Sequence, residues 1–310
     1  MSVRIDDILT DDPVSIETVR LTKRFGRVTA VDNLSLRVAR GSTYGLIGPN
    51  GAGKSTTLKM LMGILRPTSG MATVGGRDIS LNPVAVKRRV GYVPEAHLMD
   101  RWMRVGQVVG FCRAQFPTWN DRTCGQMLER FGIDTNKKVK QLSKGMLVKL
   151  SLVLAVSHEP EVLLLDEPMA GLDPLAREEF LDGVLRTICE RGQTVVISTH
   201  SLDDVQRLAD TVGILDAGRL LVERRVDELL ATTKRLQVTL TNGHRPEWVP
   251  AGLVWQQLHG REWQLTVAEF SEAMAEQMRA QAGVEHVDVV DLGLEDLFKD
   301  LVRGRQSVSA

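Results

Sequence analysis

The sequence predicts a layered α/β domain followed by a smaller α+β domain. Three observations carry this reading. Short apolar runs alternate with helical stretches up to about residue 235, the pattern changes after Arg235, and 310 residues suffice for about two domains. At 43% hydrophobic, the chain can bury a core of ordinary size.

From "VSIETVRLT" to "DNLSLRVARG" the pattern is short and strand-like, with Leu34, Leu36 and Val38 alternating against polar neighbours. "TYGLIG" is a buried strand that runs into glycines, and "KSTTLKMLMGIL" continues as a helix with an apolar stripe. Further strands are read at "RVGYV", "VLLLDE", "TVVISTH" and "TVGILDAGRLL". Between "GYVPE" and "QLSKGM" the pattern is helical and carries Trp102, Phe111, Phe116 and Trp119, which marks an inserted helical subdomain at about residues 96–157. The first domain thus spans residues 14–235. In residues 236–310, "RLQVTLTN" and "EWQLTVAE" alternate as strands. Phe270, Met274 and Met278 share one helical face, as do Leu294, Leu297, Phe298 and Leu301, and both stripes read as core.

Lys plus Arg and Asp plus Glu both total 39, so no global positive field attracts nucleic acid or anionic lipid, and any such partner must be held by a local patch. The C-terminal domain has six basic residues against eleven acidic ones, which makes it a poor nucleic-acid binder. The amino terminus, "MSVRIDDILTDDP", is acidic and lacks the apolar core of a signal peptide, and no apolar run approaches the roughly 20 residues that span a bilayer. The expectation is a cytosolic chain that does not itself cross a membrane. Cys112, Cys124 and Cys189 have no metal-like spacing and read as reduced, structural thiols.

Gly48 to Thr56, "GPNGAGKST", contain the full G-x-x-x-x-G-K-S pattern between a strand and a helix, which is the context its mechanism requires. Backbone amides of the loop and the first helical turn converge on an anion there, and the helix dipole adds to them. Lys54 is placed to reach β and γ phosphates, and the Ser55 hydroxyl to ligate Mg²⁺. Downstream, "VLLLDEP" delivers two adjacent carboxylates at the end of a buried strand. Side chains on a strand alternate faces, so the two acids are expected to have different tasks. Asp166 is assigned the metal and Glu167 the water that attacks the γ-phosphate.

With these motifs in place, the chain resembles the nucleotide-binding subunits of ABC transporters over residues 16 to 225. Phe25 in "TKRFG" matches the aromatic that stacks on adenine, and "GPNGAGKST" (Gly48, Pro49, Asn50, Gly51, Ala52, Gly53, Lys54, Ser55, Thr56) matches the phosphate loop. "QLSKGM", with Ser143, Lys144 and Gly145, falls where the family has its signature sequence. "AGLDP" matches the D-loop through Asp173, and "ISTH" places His200 as the switch histidine. Taken singly, Phe25 reads equally as a packing residue, His200 as a polar group at a strand end, and Asp173 as a turn former. The resemblance implies a P-loop ATPase fold of ABC type with an antiparallel β subdomain and an inserted helical subdomain. It also implies ATP and Mg²⁺ as ligands and a head-to-tail dimer, in which Ser143 and Gly145 of one subunit close over the γ-phosphate held by the other.

Two motifs depart from the family pattern. Glu95 in "GYVPEAHL" stands where glutamine is usual, and Lys144 and Met146 stand where glycine and glutamine are usual. A carboxylate still ligates Mg²⁺ or a metal-bound water but cannot donate as an amide does, so Glu95 puts γ-phosphate sensing in question. Lys144 either favours ATP capture or points to solvent. Both variants resemble bacterial ABC-2-type exporters. The function implied is the ATPase of a separate integral membrane permease, peripheral on the cytoplasmic face of the cell membrane. The second copy is the same chain or a paralogous subunit, and no nucleic acid is involved. A soluble ABC-type ATPase switching a non-transport partner is the rival, and a nucleotide-regulated subunit with little turnover a third reading.

Overall fold

The structure, a computed structural model, describes residues 13–96, 99–181 and 192–308. The acidic amino-terminal run up to Asp12 and Cys189 lie outside the described residues. Compactness divides the chain into residues 1–200 with 215–220, and residues 201–214 with 221–310. The change of sequence character near residue 235 and this division fall at different places.

In the first unit, β1 (Val14–Phe25) and β2 (Val28–Ala39) pair antiparallel, and β4 (Ser69–Val74) and β5 (Arg77–Asp78) complete a sheet of order β2-β1-β4-β5. Both long strands run twelve residues, where the sequence suggested short ones. Their ladder continues across several register shifts that realign the pairing. The alternation of Leu34, Leu36 and Val38 is realised as burial, at 0 to 3% exposure. A parallel sheet is built from β3 (Thr43–Ile47), β6 (Val90–Val93), β7 (Val162–Asp166) and β8 (Thr194–Thr199), in the order β3-β8-β7-β6. Every residue of β3, β7 and β8 is buried, as the near-continuous apolar runs of a two-sided sheet require.

"TVGILDAGRLL" is a hairpin of β9 (Thr211–Asp216) and β10 (Arg219–Arg225), not the single strand expected. Ala217 and Gly218 take φ of 46° and 80°, the consecutive positive values of a two-residue turn whose twist suits a hairpin. Residues 215–220 lie in the first unit, at the β3 edge of its sheet. Helix α1 (Lys54–Leu61) follows β3, and α2 (Pro83–Arg89) precedes β6. The helical stretch contains α3 (Val105–Gln115), α4 (Asp121–Arg130) and α5 (Lys144–Val156) around Val105, Cys124, Leu128, Leu150 and Val153. Asn120 caps α4 by accepting from the amides of Arg122 and Thr123. Of the four aromatics, Trp119 packs on this core, Phe116 stacks on His158, and Trp102 and Phe111 are exposed. Helix α6 (Pro174–Phe180) follows β7.

The second unit holds α7 (Leu202–Leu208), α8 (Val226–Thr232) and an antiparallel sheet of β11 (Lys234–Leu240), β12 (Leu253–His259), β13 (Glu262–Val267) and β14 (Val284–Asp291). The strand order is β12-β13-β11-β14. Helix α9 (Glu272–Arg279) buries Met278, and Phe270 and Met274 pack on the same core around Trp263. In α10 (Leu294–Val308), Leu294 and Leu297 are buried and Phe298 and Leu301 half-buried. Asp300 of this helix is buried and receives the Arg235 guanidinium at 2.6 Å, so the charge is paired where it leaves water.

Candidate active site

The glycine loop between β3 and α1 has a backbone that other residues could not follow. Gly53 sits at φ +104° as the cap of α1, and a Cβ there would strike the Ala30 carbonyl, while one on Gly48 would strike the Leu215 carbonyl. Hydrogen bonds from Ala52 N–H to the Pro49 carbonyl (3.1 Å) and from Gly218 N–H to the Ala52 carbonyl (3.0 Å) fix its path. Pro49, Asn50 and Gly51 line its exposed lip, and Thr56 is half-buried one turn below. No side chain caps α1 and no acid lies in its first turn, which leaves the helix start electropositive and suited to an anion.

Lys54 and the paired acids form one buried cluster. Lys54 Nζ donates to the Gly48 carbonyl at 2.7 Å and the Pro49 carbonyl at 3.3 Å, and lies 3.1 Å from Glu167 Oε1. Both charged side chains are below 10% exposed. Asp166 turns elsewhere: its Oδ1 accepts from Ser55 Oγ and Ser198 Oγ, each at 2.8 Å, and its Oδ2 from the Tyr92 hydroxyl at 3.2 Å. Glu167 Oε2 meets His200 Nδ1 at 2.9 Å. The neighbouring acids separate because Glu167 leaves the strand at φ +46°, a strained value for a non-glycine residue, held by its N–H bonding the Ser198 carbonyl and hydroxyl at 3.1 Å. One acid faces a hydroxyl set, the other a cation and an imidazole.

Burial, and next the charge of Asp166, push the Tyr92 phenol well above its ordinary range, with a smaller contribution from Glu95. Tyr92 therefore remains a proton donor to Asp166. Glu95 itself is exposed, two residues beyond the end of β6. Ser55 and Asp166 present oxygen donors 2.8 Å apart, a set suited to a hard cation that keeps waters and shares its shell with phosphate. Among the described residues no group of three or more His, Cys, Asp or Glu forms a metal cage. Phe25, at the end of β1, is 48% exposed, and Lys23 Nζ lies 5.1 Å from its ring centroid.

Ser143, Lys144, Gly145 and Asp173 form a second group. They line a cavity of about 200 Å³ at the start of α5. Ser143 caps α5 by accepting from the Met146 amide, and Asp173 caps α6 by accepting from the Ala176 amide. The Lys144 ammonium lies over Gly171 in the space a side chain there would need. Among the described residues no hydrogen bond or ion pair joins this group to Lys54 or Glu167.

The sequence reading missed Tyr92 and Ser198. Ser198 lies directly across from Asp166 in the parallel ladder, and Tyr92 pairs with Leu164, two residues before it. Only the strand register brings them to the carboxylate. "GYV" and "IST" were legible as strand, with no local spacing to give their hydroxyls a role.

The model of the family described as ABC transporter matches residues 31–170. The chain is 37% identical over 280 residues to the daunorubicin resistance ATP-binding protein DrrA3 of Streptomyces coeruleorubidus, covering 86% of this chain and 88% of the relative. It is 36% identical over 223 residues to the bacitracin transport ATP-binding protein BcrA of Bacillus licheniformis, covering 69% and 71%. A solved structure described as an ATP binding subunit of an ABC transporter superposes with a TM-score of 0.63 at 27% identity, covering 69% of this chain and 90% of that one.

Proposed function

The chain belongs to the ATP-binding proteins of ABC transporters, and on that premise we propose that it binds and hydrolyses ATP to drive a separate membrane permease working as an exporter. The export reading is supported by relatives named for drug resistance and bacitracin transport. The rival soluble switch has no such support. Its place is the cytoplasmic face of the membrane, docked on the permease. Among the described residues no helix is long and apolar enough to cross a bilayer, so the membrane path belongs to the partner.

One observation carries the ATPase reading: adjacent acids divide, Asp166 toward Ser55 and Glu167 toward Lys54 and His200. Lys54 exchanges the Gly48 and Pro49 carbonyls and Glu167 for phosphate oxygens. Ser55 and Asp166, with Glu95, would hold Mg²⁺, which would supply charge neutralisation for the phosphates. Glu167, released from Lys54 and steered by His200, accepts the proton of the attacking water. Phe25 stacks on adenine. In a second copy of the chain, Ser143 and Gly145 close over the γ-phosphate, with Lys144 and Asp173 beside them. Residues 14–235 form the nucleotide-binding module, and 236–310 an accessory domain.

The test has two arms. Glu167→Gln is expected to bind ATP and shift to dimer mass in gel filtration with Mg-ATP, and normal hydrolysis by this variant removes Glu167 from the base role. Affinity capture from detergent-solubilised membranes is expected to bring down a polytopic membrane protein in stoichiometric amount. Ribosomes or DNA in its place would favour the soluble switch.

A further inference from the structure

The balanced total charge conceals a polar distribution. Residues 14–93 contain thirteen Lys and Arg, Lys54 among them, against only Glu17, Asp32 and Asp78. Each of these acids is engaged: Glu17 with Arg37, Asp32 with Arg219, and Asp78 with the Ser80 and Leu81 amides. The rest of the chain has 26 basic residues against 36 acidic ones, so the excess of positive charge belongs to the segment 14–93.

Within that segment, α2 exposes an apolar and basic face. Leu81, just before the helix, is 79% exposed and Val84 63%, while Lys87 and Arg88 follow as exposed cations and Val86 faces the core at 0%. Val84, Lys87 and Arg88 are spaced i, i+3, i+4, which sets them on one side of the helix, with Leu81 just before its start. A Cβ on Gly63 would lie 3.2 Å from Pro83, so the neighbouring turn abuts α2 and adds Ile64, 51% exposed, and Arg66. Among the described residues no carboxylate pairs with Lys87 or Arg88, whereas the adjacent Arg89 takes Glu161 at 2.7 Å.

We propose that this face of α2, with Leu81, Val84, Lys87 and Arg88 at its centre, docks on an anionic bilayer surface. Branched apolar side chains enter the acyl boundary while the cations meet lipid phosphates, and the nearby Glu161 is taken up by Arg89. The contact is peripheral and reversible. It rests on the transporter reading only for the membrane being within reach.

The test uses the purified full chain without permease. Its partition is measured into vesicles of phosphatidylcholine mixed with equal phosphatidylglycerol, and into pure phosphatidylcholine. The wild type is expected to bind the mixed vesicles at least tenfold more tightly and to be released by salt. Each cation near such a surface is worth about fivefold, so Lys87→Gln with Arg88→Gln should weaken binding about 25-fold. Leu81→Ser with Val84→Ser should weaken it about tenfold or more. Binding of a fluorescent ATP analogue serves as the folding control and is expected to stay unchanged in both double variants. Equal partition of the wild type into the two vesicle types overturns the proposal. So does undiminished vesicle binding by the Lys87/Arg88 variant, and if that variant also loses the permease in capture, the face belongs to a protein contact. Failure of the wild type to bind nucleotide would sink the ATPase reading and leave the vesicle result standing.

Discussion

The contact between Lys54 and Glu167 implies that the glycine loop and the acid proposed as base hold each other before nucleotide enters. At 3.1 Å, with an effective dielectric of about 20, their attraction is about 5 kcal/mol. Lys54 keeps two carbonyl acceptors when the pair is lost, so the net loss should fall below the roughly 3–5 kcal/mol of a buried pair deprived of one partner. About 2 kcal/mol is expected. Glu167→Gln should therefore lower the melting temperature of the nucleotide-free protein by on the order of 5 °C. It should also tighten a non-hydrolysable ATP analogue about thirtyfold, because phosphate no longer has to displace the carboxylate. Calorimetric titration and thermal unfolding of the same two proteins test both halves. If Glu167 merely repelled phosphate, affinity would rise with no loss of stability in the free protein, and that combination would refute the coupling. So would unchanged affinity.

Three further outcomes follow from the same geometry. Lys54→Ala should abolish binding of a fluorescent ATP analogue while circular dichroism stays native, and retained binding contradicts the phosphate-loop assignment. Tyr92→Phe should leave the fold intact but raise the Mg²⁺ concentration for half-maximal hydrolysis about tenfold, the usual scale for losing a partner of a metal ligand, and an unchanged Mg²⁺ titration counts against it. His158 is buried against Phe116, and burial lowers its pKa despite the nearby carbonyls of Leu154 and Val90. It stays neutral in the fold while the unfolded chain takes up a proton below about pH 6.5, so its contribution is present above that pH and lost as pH falls toward the lower folded value. Unfolding free energies from urea titration should drop on acidification with a slope from this residue of up to about 1.4 kcal/mol per pH unit, and His158→Phe should remove that part. Identical slopes in the two proteins would refute it.

The phosphate loop and the acid pair were legible because their chemistry is local. A loop that must admit phosphate needs glycines and a lysine at fixed offsets, and Gly48, Gly53, Lys54 and Ser55 meet the demand within one turn of chain. The fold class was legible for a related reason, since a run as short as Val162 to Leu165, ended by acids and a proline, favours a strand buried on both faces. What was hidden depends on register between distant strands. Ser198 and Tyr92 reach Asp166 only after β6, β7 and β8 align, and a hydroxyl inside an apolar run has no spacing to announce that partner. The hairpin at Ala217 and Gly218 was hidden because alanine does not ordinarily adopt a positive φ.

The division of labour between Asp166 and Glu167 shows how far the local argument reaches. Alternation on a strand anticipates two faces, but Glu167 has already left the strand, and what redirects it is the left-handed backbone held by Ser198. The same serine bonds Asp166, so a single hydroxyl sets both carboxylates: it donates to one acid and accepts the amide of the other. A side chain that removed this hydroxyl would disturb both carboxylates together, whereas among the described residues the Tyr92 hydroxyl bonds Asp166 and His200 Nδ1 meets Glu167. The two assigned tasks are thus separable at their outer partners and joined at Ser198.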